Sequence, residues 1–156
     1  MTPGQRIIYT AEAHVTGGRA EGHGHSADGA LDVDLRTPAE MGGQGGGTNP
    51  EELFAVGYAA CFESALGAAG RRQRQEVGDI AIDSRVMLLP AEGRRWKLAA
   101  ELAITLPAVN DPAVAETLVR EAHRTCPYSN ATRGNIGVAL TVNGRGVETT
   151  SEAVAA

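Results

Sequence analysis

Ile7, Tyr9, Ala11, Ala13 and Val15 alternate with Ile8, Thr10, Glu12, His14 and Thr16. A period of two is that of a strand with one buried face, and Gly17-Gly18 ends it. After a polar segment, Leu31, Val33 and Leu35 alternate with Asp32, Asp34 and Arg36, so the opening third predicts antiparallel hairpins. The same period returns in Ile80, Ile82, Val86 and Leu88, and again in Trp96, Leu98, Ala100, Leu102 and Ile104, with Pro90 to Arg95 as the turn between them. Ile136, Val138, Leu140 and Val142 predict a last strand, and the tail from Gly146 onward reads as frayed.

Two helices interrupt these strands. The stretch Gly42-Gly43-Gln44-Gly45-Gly46-Gly47 is too rich in glycine for regular structure and suits a loop that lets backbone pass close to the buried helix that follows. It leads into Thr48-Asn49-Pro50-Glu51-Glu52. Asn49 suits an N-cap, Pro50 the first helical position and Glu52 a capping box. A helix is predicted from about Pro50 to near Arg72. Its part from Leu53 to Phe62 is apolar almost all round, which predicts a central buried helix. Asp111-Pro112 repeats the start signal, and Val114, Leu118 and Ala122 form a stripe with Ala115 and Val119 beside it. Pro127 stops this second helix, because the residue before a proline is pushed out of the α region. No repeat and no internal linker is visible. The expectation is a single domain over 1–156 of the α+β class, with two main helices on a largely antiparallel sheet.

Composition narrows the partners. A chain of 156 residues suits one compact domain. With 42% hydrophobic but 4% aromatic residues, the core must be built mainly from Ala, Val, Leu and Ile. The formal net charge is -5 and the pI about 5.3. Arg71, Arg72 and Arg74 read as a solvated helix end rather than a nucleic-acid footprint. No apolar segment follows a basic start, and the longest uncharged apolar run, Leu53 to Phe62, is far short of the ~18 residues of a membrane span. A cytoplasmic protein with no membrane and no nucleic-acid partner is expected. Its two cysteines would then be core thiols, metal ligands or redox-active groups rather than a permanent staple.

Cys61 lies on the helical row Leu53, Gly57, Cys61, Ala65, and Cys126 extends the row Leu118, Ala122 by one more step of four. Two buried core cysteines would satisfy this pattern, and so would two helices packed to bring the thiols together. A mid-helix cysteine gains little from the helix dipole, and apolar surroundings raise its pKa. A reactive Cys61 therefore needs a cation. Arg19, straight after the first strand, is a candidate, and an ordinary surface turn arginine is the alternative. A buried arginine needs a carboxylate in turn. Glu51 or Glu52 could supply one in a two-bonded pairing, or could merely complement the helix start. The glycine-rich loop lacks the Lys-Ser/Thr of a P-loop and does not fit GxGxxG, and two glutamates at the helix start would repel an anion. His23 with His25, and His123 with Cys126, have spacings that metal sites use, without further ligands nearby in sequence. A Cys–His hydrolase would need a histidine beside Cys61, which the sequence does not place.

Several segments resemble a known family. They are Gly17-Gly18-Arg19, Ser26-Ala27-Asp28-Gly29-Ala30-Leu31-Asp32-Val33 and Pro38-Ala39-Glu40-Met41-Gly42-Gly43. The long run Gly47-Thr48-Asn49-Pro50-Glu51-Glu52-Leu53-Phe54-Ala55-Val56-Gly57-Tyr58-Ala59-Ala60-Cys61-Phe62 and the motif Ala122-His123-Arg124-Thr125-Cys126-Pro127-Tyr128-Ser129-Asn130-Ala131 complete them. Together, over about residues 6 to 143, the chain resembles the organic hydroperoxide resistance (Ohr) subfamily of the Ohr/OsmC proteins.

The resemblance implies an OsmC-like fold and an intertwined homodimer with active sites built from both subunits. It implies a peroxidase that turns organic hydroperoxides into alcohols in the response to oxidative stress. Cys61 would be the peroxidatic thiol and Cys126 the resolving one, with Arg19 and Glu51 activating Cys61. A Cys61 sulfenic acid would condense with Cys126 to a disulfide, reopened by an external dithiol such as dihydrolipoamide or a lipoylated protein. No bound cofactor, metal, haem or flavin is implied. Met41, Phe54, Tyr58 and Phe62 are candidate walls of an apolar substrate site, and core packing explains them equally well. The rival readings are an OsmC-type peroxidase with another peroxide preference, and a non-enzymatic redox sensor or binding protein on the same scaffold.

Overall fold

Residues 6–149, apart from the side chain of Arg94, are described by a computed structural model of the chain. They gather into two compact units, one up to Pro50 and one from Glu51.

In the first unit, β1 (Ala13–Thr16), β2 (Gly22–Ser26) and β3 (Asp32–Arg36) form a three-stranded antiparallel sheet in that order. The alternation from Ile7 predicted a longer strand. Pairing begins only at Ala13, opposite Ser26, because β2 ends there in the turn Ala27–Gly29, whose Ala27 N–H still reaches the Glu12 carbonyl at 2.9 Å. Alternation says which face a residue takes, not whether a neighbouring strand exists. The predicted buried face is also absent from the single chain: Ile7, Tyr9, Ala11, Ala13 and Val15 are all exposed. The polar segment Gly22–Ser26 is the central strand. Its inward positions are the buried glycines Gly22 and Gly24, between outward His23 and His25, so backbone rather than apolar side chains fills that face. The four-residue helix α1 (Gly18–Glu21) bridges β1 and β2. A short 3-10 turn, Ala39–Met41, precedes the glycine-rich loop. The close approach in that loop is to the segment before it: a Cβ on Gly43 would come within 2.0 Å of the Thr37 carbonyl oxygen.

The second unit opens with α2 (Pro50–Gln73), close to the predicted span. It is not buried all round. Tyr58, Phe62, Leu66 and Ala69 form its buried row, whereas Val56 and Ala60 are exposed. By length and composition alone α2 is apolar enough to cross a membrane. Its buried row instead belongs to a core shared with Leu102, Leu118 and Leu140. Next come β4 (Ala81–Ala91) and β5 (Arg95–Thr105), a long antiparallel hairpin. Pro90 was expected in the turn but pairs with Trp96 inside the ladder. β4 is an edge strand, where a missing N–H can face solvent. Trp96, aligned with inward residues by period, is exposed because it sits near the hairpin tip.

The Asp111 carboxylate accepts from the Ala113 N–H at 2.8 Å and caps α3 (Pro112–Thr125). The stripe Ala115, Leu118, Val119 and Ala122 is buried as its spacing predicts. A second short helix, α4 (Pro127–Thr132), follows directly. β6 (Gly137–Val142) then returns parallel to β5, and β7 (Arg145–Val147) closes the order β4-β5-β6-β7. The parallel pair is possible because a long helical passage separates its strands. The tail was expected to fray from Gly146. Residues 145–147 instead pair with β6 and Val147 is buried, while residues 150–156 lie outside those described.

Candidate active site

Cys61 stands in the middle of α2, half-buried, on the row beside the core-facing Tyr58–Phe62–Leu66 row. Cys126 is fully buried at the junction of α3 and α4. Pro127 shapes that junction. Cys126 has φ -62 and ψ 125, an extended conformation, while its N–H still bonds the Ala122 carbonyl at 2.8 Å. Its own carbonyl accepts from Asn130 at 3.0 Å and starts α4. Pro127 therefore ends one helix and begins the next as its first residue. The two free thiols meet at 3.5 Å between sulfurs. Of the two packings the periodicity left open, the structure has the one that joins the cysteines.

Burial pushes the Cys61 thiol pKa up. The main-chain N–H of Tyr128 opposes this by favouring the thiolate, and the nearby Cys126 thiol adds to the rise. The net direction is upward, so these neighbours alone leave Cys61 mostly protonated at neutral pH.

The surroundings of the thiols are aromatic. Phe54, Tyr58 and Tyr128 form a triangle with ring centroids 5.8 Å apart along each side. Tyr128, with 38% of its surface exposed, presents a face to solvent. Of the four candidate wall residues, Tyr58 and Phe62 are 0% exposed and belong to the core cluster, the packing role that the sequence left open for them. Phe54 is partly buried and Met41 is exposed in the first unit. The sequence reading assigned no part to Tyr128. The signal was Pro127, which as a helix-starting residue orders the amides that follow it.

Arg19 is half-buried in α1. Its turn is built on glycine: Gly17 and Gly18 have φ of 70° and 62°, and a Cβ on Gly22 would fall 1.9 Å from the Gly18 carbonyl oxygen. Arg36 braces the same turn, donating to the Gly22 carbonyl at 2.9 Å. Glu51 and Glu52 occupy the first turn of α2, the former half-buried and the latter exposed.

Neither histidine pair forms a ligand cluster. His23 and His25 have ring centroids 5.9 Å apart, and His23 Nε2 bonds Asp32 at 2.9 Å. His123 Nδ1 bonds Ser129 Oγ at 3.0 Å. Among the described residues no group of three or more His, Cys, Asp or Glu could hold a metal ion.

The comparisons with known proteins agree with this architecture. Residues 43–141 match the family model described as OsmC-like protein. The chain is 49% identical over 144 residues to an organic hydroperoxide resistance protein of Xanthomonas axonopodis pv. citri, covering 91% of this chain and 99% of that one. The crystal structure of an organic hydroperoxide resistance protein from Legionella pneumophila superposes with a TM-score of 0.84 at 44% identity, over 88% of this chain and 98% of that one. That of the organic hydroperoxide resistance protein OhrB of Bacillus subtilis does so with a TM-score of 0.80 at 41% identity, over 88% and 100%. With its α+β fold and its paired thiols, the chain belongs to the Ohr/OsmC family, on the organic hydroperoxide resistance branch.

Proposed function

We propose that the chain is a thiol peroxidase that reduces organic hydroperoxides to alcohols and protects against them. The observation that carries this reading is the contact of a half-buried thiol with a fully buried one at 3.5 Å. Relatives of nearly full length are named for resistance to organic hydroperoxides.

The chemistry balances in three steps. The Cys61 thiolate attacks one peroxide oxygen, the O–O bond breaks, and the other oxygen leaves as an alcohol after taking a proton. Cys61 is then a sulfenic acid. The Cys126 thiol attacks its sulfur, a disulfide forms and water leaves. Closing the contact to a bond requires the sulfurs to approach to ~2.05 Å. An external dithiol, of which dihydrolipoamide or a lipoylated protein is the expected form, reopens the disulfide and is oxidised in turn.

The raised pKa of Cys61 makes a cation necessary, and Arg19 on its glycine-built turn is assigned that part, with Glu51 orienting the guanidinium. Both assignments rest on the family motifs. Phe54 and Tyr128 are the apolar surface offered to the peroxide, and Met41 stays a candidate wall residue on the sequence alone. The whole chain acts as one OsmC/Ohr-like domain in a cytoplasmic homodimer without a bound cofactor, and the exposed Ile7, Ile8 and Tyr9 are surface that a second subunit would cover.

A steady-state assay tests this reading. Cumene hydroperoxide should be consumed over many turnovers with dihydrolipoamide and far more slowly with glutathione. Cys61→Ser should abolish consumption, and Cys126→Ser should permit one oxidation and then stall. Full activity in the Cys61 variant would remove the assignment. One equivalent consumed by the native chain, with no recycling by any dithiol, would favour a redox sensor. Preference for hydrogen peroxide over the bulky hydroperoxide would favour an OsmC-type peroxidase.

A further inference from the structure

A buried polar cluster stands beside the thiols, and the reaction as written does not use it. The Tyr58 hydroxyl shares hydrogen bonds with Ser129 Oγ at 3.0 Å and Thr132 Oγ1 at 3.3 Å. Ser129 Oγ is also bonded to His123 Nδ1 at 3.0 Å. Tyr58 and Ser129 are 0% exposed and Thr132 is 7% exposed. One hydroxyl thus ties α4 to both α2 and α3. Burying such groups is costly unless every one is bonded, and once bonded they favour a single arrangement.

The placement of the cluster along the chain matters. Tyr58 precedes Cys61 by three residues on α2, and His123 precedes Cys126 by three on α3. Ser129 follows Cys126 by three on α4. Cys126 itself is a non-helical hinge between α3 and α4. A helix as short as α4, six residues, does not hold itself in place. Its position relative to α2 depends on tethers, and that position sets where the Cys126 sulfur stands.

We propose that Tyr58, Ser129 and His123 are positioning residues for the second step. They hold α4 so that the Cys126 thiol stays against Cys61, and disulfide closure outruns a second oxidation. The inference rests on the reading of Cys61 and Cys126 as the attacking and resolving thiols. Two reactions compete for the sulfenic acid. Attack by Cys126 gives the disulfide and water, whereas attack on a second hydroperoxide gives Cys61 sulfinic acid and another alcohol. The cluster governs their ratio: it touches neither the peroxide nor the Cys61 sulfur and reaches the first oxidation only through the Tyr128 amide on the same short helix, so that step should change much less than disulfide closure.

The test is a single-turnover competition in the full chain with Tyr58→Phe and Ser129→Ala. The reduced protein is mixed with increasing tert-butyl hydroperoxide and quenched, and Cys61 is scored by mass spectrometry as disulfide or sulfinic acid. Each variant should raise the sulfinic-to-disulfide ratio about fivefold, the rate equivalent of one neutral hydrogen bond. The rate of thiol loss in the first step should stay within about twofold, and the double variant should fall short of the product of the two single effects, since both break the Tyr58–Ser129 bond. An unchanged ratio in both variants overturns the proposal. So does an equal slowing of both steps, which would mean general loosening. If Ser129→Ala fails to fold, the near-isosteric Tyr58→Phe decides alone. Two controls isolate the underlying reading: Cys126→Ser should yield only sulfenic and sulfinic forms, and Cys61→Ser should show no peroxide-driven oxidation. If either control behaves like the native chain, that reading falls, whatever the cluster does.

Discussion

The ring of Tyr128 rests on Gly57: a Cβ built on that glycine would come within 3.0 Å of the phenol oxygen and 3.4 Å of two ring carbons. Gly57 is one helical turn before Cys61, and the main-chain N–H of Tyr128 favours the Cys61 thiolate. A missing side chain on α2 therefore lets α4 approach the reactive sulfur. Gly57→Ala should gain ~1 kcal/mol of helix propensity and lose ~1–3 kcal/mol to crowding. The net loss of stability should be no more than about 2 kcal/mol. Reactivity should suffer more visibly, because displacing Tyr128 withdraws its amide from the sulfur. Alkylation of Cys61 should shift to higher pH in this variant, and a rate profile against pH would show whether it does.

Arg19→Ala tests the proposed cation. Burial already raises the Cys61 pKa, and removing a nearby positive charge raises it further, on the order of one to three pH units for a close partner. Alkylation measured against pH in a Cys126→Ser background, where only one thiol remains, should move up by that amount. A superimposable profile would take Arg19 out of the mechanism.

Gly22→Ala reaches the same group indirectly. Its Cβ would fall 1.9 Å from the Gly18 carbonyl oxygen and 2.7 Å from that of Thr16. Both are backbone atoms, so α1 must shift and Arg19 with it. The expected outcome is a loss of peroxidase activity comparable to that of Arg19→Ala, read in the same steady-state assay. Native activity would mean that the turn does not set the position of Arg19.

Much of this was legible locally. Asn49-Pro50 and Asp111-Pro112 marked two helix starts because proline at the first helical position lacks only an N–H that has no partner there. Pro127 was legible as a stop but not as the start of α4, since one residue serves both purposes. β2 escaped hydropathy because its inward residues are glycines, and β7 escaped because its strand is three residues long. The thiol contact joins positions 65 apart, and the Tyr58–Ser129 bond positions 71 apart. Helical rows placed each cysteine on an apolar face, but whether those faces meet is decided by tertiary packing.

His123 gives the fold a pH dependence of predictable sign. Burial lowers its pKa below the ordinary 6.5, and the Arg133 guanidinium adds to the effect. The unfolded chain then binds more protons than the folded one just below 6.5, so stability rises with pH through that window. Its contribution is complete above the unfolded value and is lost as pH falls through the folded one. Melting temperatures should drop from about pH 7.5 to about pH 5.5. His123→Asn should flatten that part of the curve, and an identical slope in the variant would assign the effect elsewhere.

Asn143 closes the β6–β7 hairpin in a conformation that asparagine tolerates better than most residues. Its φ is 47°, and Gly144 follows at 78°, the two left-handed residues that a tight hairpin joining Val142 to Arg145 requires. Its side chain also reaches back across the chain. Oδ1 accepts from the Leu106 N–H at 2.8 Å, and Nδ2 donates to the carbonyls of Leu106 at 3.2 Å and Val109 at 3.3 Å. One residue thus fixes both the turn and the loop that leads into α3, which carries Cys126 at its end. Asn143→Ala removes three side-chain bonds and leaves a Cβ residue at positive φ, for an expected loss of about 2–4 kcal/mol. Asn143→Gly removes the same bonds but relieves the backbone, and should lose about 1–2 kcal/mol less. Chemical denaturation of the two variants separates the contributions: equal losses would mean that the side-chain bonds alone matter and the left-handed turn is not strained by alanine.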